Sequence, residues 1–343
     1  MIEIGFGMMI FSLRFDSPIR NGFAVFGALF LATKTCSVIQ KFWNCFSLYC
    51  AQSKLKKEYF VHSVDDCSDV WAAVTGPHRG LGKAFTYWLA DNGFSLVLIG
   101  RQSKKLLESK IELQTRYPLI KIKLIKLDLS TDFSGDPALK ELFDLNVSIF
   151  INNAGVAFNV PEALQTSDLS NIQQICSVNC FAPAMLIHVL LANRSTNNKL
   201  LVINIGSVAA SYPLPLQGIY SASKIFLHFL SRSMSYELEE SSFRGKTSLV
   251  LLTPSYVLTD MTAYWYSSES LICPSANAYV ASSFNVISNF LRSPSCTKGT
   301  VLQTTGWLFH EIQSTLMTFG GELTFSFGGL LLHKFRRNRL QLD

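Results

Sequence analysis

The stretch Val70-Trp71-Ala72-Ala73-Val74-Thr75-Gly76-Pro77-His78-Arg79-Gly80-Leu81-Gly82 decides the reading of this chain. Its first six residues form a short apolar run without charge, as expected of a strand buried on both faces. The run passes without a spacer into three closely spaced glycines, and Leu81–Asn92 then shows helical periodicity. Glycines at such a turn let the backbone bend tightly and approach a ligand. The helix next in the chain aims its free N–H groups at an anion such as a pyrophosphate. Gly76, Gly80, Leu81 and Gly82 are therefore candidate phosphate-cradle residues. Pro77 removes one backbone donor from that cradle, and Pro77-His78 is an unusual filling for it.

Outward from this point the same alternation repeats. Ser95–Gly100, Ile120–Leu127, Val147–Ile151, Leu200–Ile205 and Ser248–Leu252 read as further buried strands, with a seventh at Gly299–Gln303. Helical periodicity fills Lys104–Arg116, Ala138–Asp144, Leu169–Leu191 and Ser221–Leu238 between them. Strand alternating with helix predicts an α/β, Rossmann-type, doubly wound parallel sheet of about seven strands. No internal repeat or low-complexity stretch interrupts it.

The end of the second strand selects between dinucleotides: an acid there holds a ribose 2′-hydroxyl, an arginine a 2′-phosphate. Here the strand ends in Arg101, and Arg79 lies in the glycine loop. Two guanidinium groups at those places favour NADPH.

Tyr220 and Lys224 are four residues apart on a helical segment, so phenol and ammonium share a face. A free phenol titrates near pH 10. A neighbouring ammonium, together with an oxidised nicotinamide, stabilises its anion and makes it a usable proton donor and acceptor. Tyr117 and Lys121 have the same spacing at the mouth of a strand and receive no role. Ser207 closes the fifth strand thirteen residues before Tyr220, where its hydroxyl can donate to a developing alkoxide. Asn179, in the helix before that strand, is either a holder of a water beside Lys224 or an ordinary helical asparagine.

These residues together resemble the short-chain dehydrogenase/reductase family. Thr75–Gly82 is similar to its TGxxxGxG loop and Asn152-Asn153-Ala154-Gly155 to its NNAG segment. Asn179, Ser207, Tyr220 and Lys224 match the Asn-Ser-Tyr-Lys tetrad, and Pro254 and Thr259 the segment that closes over the nicotinamide. The resemblance spans residues 69–305. Tyr212-Pro213-Leu214-Pro215 and Pro254-Ser255-Tyr256-Val257 with Met261-Thr262-Ala263 are similar to one branch of the family. That branch holds the very-long-chain 3-oxoacyl-CoA reductases, the 17β-hydroxysteroid dehydrogenases and hydroxysteroid dehydrogenase-like proteins.

The resemblance implies NADP(H) as cofactor, with Asp128 and Asn152 lining the adenosine pocket. Pro254, Val257 and Thr259 would lie over the nicotinamide, and Tyr220 and Lys224 would carry proton transfer and hold its ribose. It implies reduction of a lipophilic ketone, a steroid 17-ketone or a long-chain 3-oxoacyl-CoA. It also implies a homodimer formed through the helices of Asn179 and Tyr220. Ser255 stands where many members carry glycine, and Leu258–Leu291, the substrate-covering region, matches poorly in detail. Those departures keep a second reading open, a catalytically weak or inactive binding or scaffold protein, against which the retained Tyr220 argues.

The 343 residues are 48% hydrophobic and 16% charged, which excludes a disordered chain. The charged share lies below the roughly 25% of soluble domains, so contact with lipid or a partner is expected. No stretch of eighteen residues reads as both strongly apolar and charge-free, which argues against a membrane bundle. Net charge is +6, half of it from Lys334, Arg336, Arg337 and Arg339 against Asp343 at the end of the chain. A basic tail beside an apolar run fits an anionic membrane surface, or is a solvated terminus; it is no nucleic-acid groove reader. The eight cysteines form no C-x-x-C pair and no zinc spacing with histidine, so a reducing compartment and no structural metal are expected.

Residues 1–68 read as a membrane-associated leader. Lys34, Ser37, Lys41 and Asn44 form a polar stripe on an apolar helix containing Phe23, Phe26, Phe30, Val38 and Trp43. Such a helix lies in the membrane interface or docks on a partner; a tilted span with a snorkelling Lys34 is the alternative. The basic cluster Lys54, Lys56 and Lys57 favours a cytosolic side for the domain after it. Residues 69–305 form the Rossmann-type domain and 306–343 an apolar extension with the basic tail. The expected location is the endoplasmic-reticulum membrane with a cytosolic catalytic domain, with the mitochondrion as alternative.

Overall fold

The computed structural model describes residues 25–30, 32, 33, 35, 36, 43, 46–52, 55, 70–145, 147–158, 160–192, 199–263, 266–293, 301–320, 326, 330, 331 and 334. The chain divides into two compact units, Met1–Cys50 and Ala51–Asp343. In the first, residues 25–30 and 46–50 are helical, and Phe26, Leu29, Phe30 and Trp43 are exposed. Lys34, Ser37, Lys41 and Asn44, which define the expected polar stripe, lie outside the described residues, as do Arg336, Arg337 and Arg339.

The second unit is built on one parallel sheet of seven strands. They are β1 (Trp71–Thr75), β2 (Ser95–Gly100), β3 (Ile122–Lys126), β4 (Val147–Asn152), β5 (Leu200–Ile205), β6 (Thr247–Leu252) and β7 (Leu302–Thr304). Their order, β3-β2-β1-β4-β5-β6-β7, reverses direction between β1 and β4. Every residue of β4 and β5 is buried, as central strands of a sheet covered on both faces must be. A doubly wound sheet opens a crevice at the carboxyl ends of its strands where the winding reverses. That crevice lies beside Thr75-Gly76 and Asn152-Asn153.

The helices are α1 (Gly80–Asp91), α2 (Ser103–Arg116), α3 (Ala138–Phe143), α4 (Leu169–Cys176), α5 (Ala182–Ala192), α6 (Gly218–Glu239), α7 (Ala276–Leu291) and α8 (Leu308–Gly320). Asp168 caps α4 by accepting from Ser170 N at 2.8 Å. The single helix expected over Leu169–Leu191 is interrupted by a π turn at Ser177–Phe181. β7 begins later than the sequence suggests, and Gly299 and Thr300 lie outside the described residues.

One expectation is corrected here. The stretch Leu169–Ala192 carries no charge and its most apolar eighteen residues have a mean hydropathy of 1.9, so a segment long and apolar enough to cross a membrane does exist. Half of its most apolar window is buried inside the protein, as befits a core helix. Its apolar character comes from packing on both sides: Val178, Ala182, Leu186, Ile187 and Leu190 join the core around Phe150, Val202 and Leu249. The other unforeseen elements are α7, which packs on α1 and β6, and α8. Phe284 on α7 stacks on Trp88 of α1 at 3.7 Å between ring centroids and meets Phe85 edge-on at 5.7 Å.

Candidate active site

The glycine loop has the shape its sequence demands. Gly76 and Gly80 adopt φ of 64° and 52°, where a side chain is strained. A Cβ on Gly82 would run into Gly76 O and Asn153 Nδ2, so only glycine fits there. The loop is held from β4. Asn153 Nδ2 donates to Thr75 O at 2.9 Å and Gly76 O at 3.2 Å. The backbone N–H groups of Asn153 and Ala154 both donate to Thr75 Oγ1, at 3.0 and 2.9 Å. Asn153 is thus a brace of the turn that the sequence reading quoted but did not single out.

Asn152, expected at the adenosine pocket, turns its carboxamide inward. Its Nδ2 donates to Asn204 Oδ1 at 2.8 Å, and Asn204 Nδ2 donates to Ser231 Oγ at 2.9 Å. This polar chain crosses from the sheet to α6 in the buried interior, so Asn152 faces the crevice only through its backbone. Asn204, the lone polar residue of an otherwise apolar strand, was the visible signal for it.

At the other end of the crevice, Arg79 and Arg101 are both exposed. Burial holds the His78 imidazole below its ordinary value, and the positive charges of Arg79, Lys105 and Arg101 push it the same way. Three cations therefore surround the glycine loop, one more than the sequence reading assigned. Asp128 accepts from Ser130 N at 2.9 Å and Ser130 Oγ at 2.6 Å. Burial works against its ionised form, but those two bonds and the charge of Arg101 together hold its carboxyl below the usual range.

The phenol and the amine meet beyond β5. Tyr220 and Lys224 lie near the start of α6 with Lys224 Nζ 5.7 Å from the centre of the Tyr220 ring. Lys224 is buried and donates to Ile205 O at 2.9 Å. Burial brings its pKa down to about 8 from an ordinary 10.5, with the neighbouring Cys180 opposing weakly. Burial raises the Tyr220 phenol, while a hydrogen bond with the Ser207 hydroxyl pulls it back down. At neutral pH, then, the phenol holds its proton and the amine its charge. Ser207 also caps the short turn after β5 by accepting from Ala209 N at 3.1 Å.

Asn179 sits inside the π turn. Its Oδ1 accepts from Val156 N at 2.9 Å, and its Nδ2 donates to Val156 O at 2.8 Å and Ser223 Oγ at 2.9 Å. A Cβ on Gly155 would come within 3.4 Å of Lys224 Nζ and 3.6 Å of Asn179 Oδ1, so these polar groups crowd one spot. Asn179 thus joins the loop after β4 to α6.

The segment after β6 closes the crevice. Pro254 O accepts from Val208 N at 3.0 Å, linking it to the Ser207 turn. Val257 is buried. A Cβ on Gly80 would come within 3.5 Å of Thr259, which places that residue over the start of α1. Gly76, Gly80 and Gly82 thus follow the carboxyl end of β1, Ser207, Tyr220 and Lys224 that of β5, and Pro254, Val257 and Thr259 that of β6.

A glycine cradle, a phenol–amine pair and a reversing parallel sheet define an oxidoreductase class of α/β protein. The sequence profile described as short chain dehydrogenase matches residues 70–270. The chain belongs to the short-chain dehydrogenase family. Among its relatives is the very-long-chain 3-oxoacyl-CoA reductase of Neurospora crassa, 32% identical over 74% of this chain and 73% of its own. A Caenorhabditis elegans relative named as a steroid dehydrogenase is 26% identical over 72% of this chain and 74% of its own. Of solved structures, the L-sorbose reductase of Gluconobacter frateurii, complexed with NADPH and L-sorbose, superposes with a TM-score of 0.58. It is 20% identical and the match covers 70% of this chain and 97% of that one.

Proposed function

We propose that the chain is an NADPH-dependent reductase of a lipophilic ketone, a long-chain 3-oxoacyl-CoA or a steroid 17-ketone, with Tyr220 as general acid. The observation that carries this reading is the Tyr220 hydroxyl bonded to Ser207 with the buried Lys224 ammonium beneath its ring. The crevice fits the cofactor: Gly82 leaves no room for a Cβ and Gly76 and Gly80 hold positive φ, so backbone lines the place of a pyrophosphate. Arg79 and Arg101 would take the 2′-phosphate, Asp128 and the backbone of Asn152 the adenosine, and Lys224 and Tyr220 the nicotinamide ribose. Pro254, Val257 and Thr259 would cover the nicotinamide. When bound, NADPH supplies hydride to the carbonyl carbon.

The chain's own part is the proton. Tyr220, protonated at neutral pH, donates to the carbonyl oxygen, and Ser207 orients that oxygen by hydrogen bonding. The Lys224 ammonium stabilises the resulting phenolate until it is reprotonated. Asn179 fixes the loop after β4 against α6, beside Lys224. The exposed Met261, Leu271 and Ile272 in the substrate-covering region suit a lipophilic substrate. The names of the relatives support both ketone classes.

Detergent-solubilised protein is expected to oxidise NADPH with a member of a panel of 3-oxoacyl-CoA and steroid ketones, and Tyr220→Phe to remove this. Unchanged turnover in that variant refutes the assigned acid. NADPH binding without turnover on the whole panel would favour the scaffold reading, toward which Pro77-His78 leans. The same proposal places the protein as a homodimer at the endoplasmic-reticulum membrane, its catalytic domain in the cytosol. Carbonate extraction of membranes tests attachment.

A further inference from the structure

His310, on the first turn of α8, has no exposed surface and lies beyond the residues that the family profile matches. Its Nδ1 is 3.3 Å from Ser255 N, and its Nε2 is 3.1 Å from Ile272 O. One neutral tautomer, with Nδ1 bare and Nε2 protonated, satisfies both of these partners. Burial favours the neutral form, while hydrogen bonds to the Ile272 and Tyr256 backbone favour the charged one.

The two partners belong to neighbouring segments, which are themselves joined where Leu258 N donates to Pro274 O at 2.9 Å. Ser255 follows Pro254 in the segment after β6 that carries Val257 and Thr259. Ile272 lies in the turn Ser270–Cys273, closed by Ser270 N donating to Cys273 O at 2.9 Å. That turn exposes Leu271 and Ile272 in the substrate-covering region. A second tie comes from the same helix end, where Trp307 Nε1 donates to Leu271 O at 2.7 Å. The helix end is itself anchored to the sheet: Thr305 N and Oγ1 donate to Glu311 Oε2 at 2.9 and 2.7 Å, directly after β7. Gly306, at φ 72°, leaves no space for a Cβ against Ser283 Oγ, so the approach of α8 to α7 is close.

We propose that His310 is a positioning residue for the reductase proposed above, fastening to the start of α8 both the segment expected over the nicotinamide and the segment expected over the ketone. The bond from Leu258 to Pro274 joins these segments to each other, and His310 joins the pair to α8. Loss of the tie loosens both segments against α8.

Native-state amide exchange on the full, detergent-solubilised chain tests this without needing turnover. In the wild type, amides of 255–259 and 270–275 are expected to open together with those of 309–312 along a guanidinium series. His310→Leu should speed exchange in both segments at least tenfold while β5 and β6 stay as in the wild type. His310→Gln, whose carboxamide offers one acceptor and one donor, should restore at least half of the protection. Where turnover is measurable, His310→Leu should raise the ketone KM about tenfold. Opening of 309–312 apart from the two segments in the wild type overturns the tie, and this reading stands even if His310→Leu fails to fold. Equal acceleration in β5 and β6, or no recovery with glutamine, also overturns it. A wild type that reduces no ketone but opens both segments together with 309–312 refutes the reductase and leaves the tie intact.

Discussion

The chain carries a tyrosine followed four residues later by a lysine twice, at Tyr117–Lys121 and at Tyr220–Lys224, in different surroundings. Tyr117 ends α2, so Lys121 is not on its helix, and its hydroxyl donates to Asp91 Oδ1 at 2.5 Å. Burial and that carboxylate push the phenol up to about 12. Lys121 is exposed at the rim of β3. Tyr220 and Lys224 share a helix turn, the phenol meets a hydroxyl instead of a carboxylate, and the amine is buried. A carboxylate holds a phenol in its protonated form, whereas a hydroxyl and an ammonium favour the anion. Spacing brings two groups near each other; the neighbours decide whether a proton can leave.

The comparison breaks most sharply at the hydroxyls. Tyr220→Phe is expected to lower kcat for ketone reduction by roughly 10²–10⁴-fold, the range of a positioned general acid. Tyr117→Phe should leave it within twofold and change stability by less than about 1 kcal/mol. Equal losses in steady-state assays would erase the distinction between the pairs.

The buried lysine has a signature in pH. Lys224 titrates near 8 in the folded chain and near 10.5 when unfolded, so between those values the unfolded state binds more protons. Stability of the wild type relative to Lys224→Met should therefore rise by about 3 kcal/mol as pH climbs through that interval, and stay level below it. Urea titrations at several pH values measure this.

Gly82→Ala tests the cradle beside the working pair. The added methyl meets backbone on one side and Asn153 on the other, a loss of about 1–3 kcal/mol with NADPH affinity reduced at least tenfold. Gly135→Ala, in open space, should change neither. The smallest effect is expected for Asn204→Ala, which leaves the buried Asn152 amide without its acceptor at about 1–2 kcal/mol. Its signature is a lower denaturation midpoint with kcat intact.

Much of this arrangement was legible before any coordinates. Strand positions followed from uncharged apolar runs, and β2 and β5 fall on the predicted boundaries because a doubly buried strand admits little else. The glycine loop and the tetrad were visible because rigid backbone geometry demands particular residues at particular spacings. The features that escaped notice obey tertiary partners instead. The π turn at Asn179 has no sequence marker, since its cause is the pull of Val156 and Ser223. The inward turn of Asn152 depends on Asn204, fifty-two residues away. α7 was hidden because Leu258–Leu291 was read through its poor family match, though Ser275 is a regular helix cap for Ala276–Leu291, and α8 because 306–343 was read as an apolar extension.

The widened turn at Ser177–Phe181 has a consequence for how this helix could change. A π turn holds one residue more than the regular winding requires, so the two flanking halves are out of phase by roughly 100°. The first half aligns with α6, and the second buries Leu186, Ile187 and Leu190 in the core. Substitutions there alter single contacts. Removing any one residue between 177 and 181 would rewind the rod, swinging either the carboxamide away from Val156 or a full apolar stripe toward solvent. The helix can tolerate many exchanges of letter at this point and no change of count.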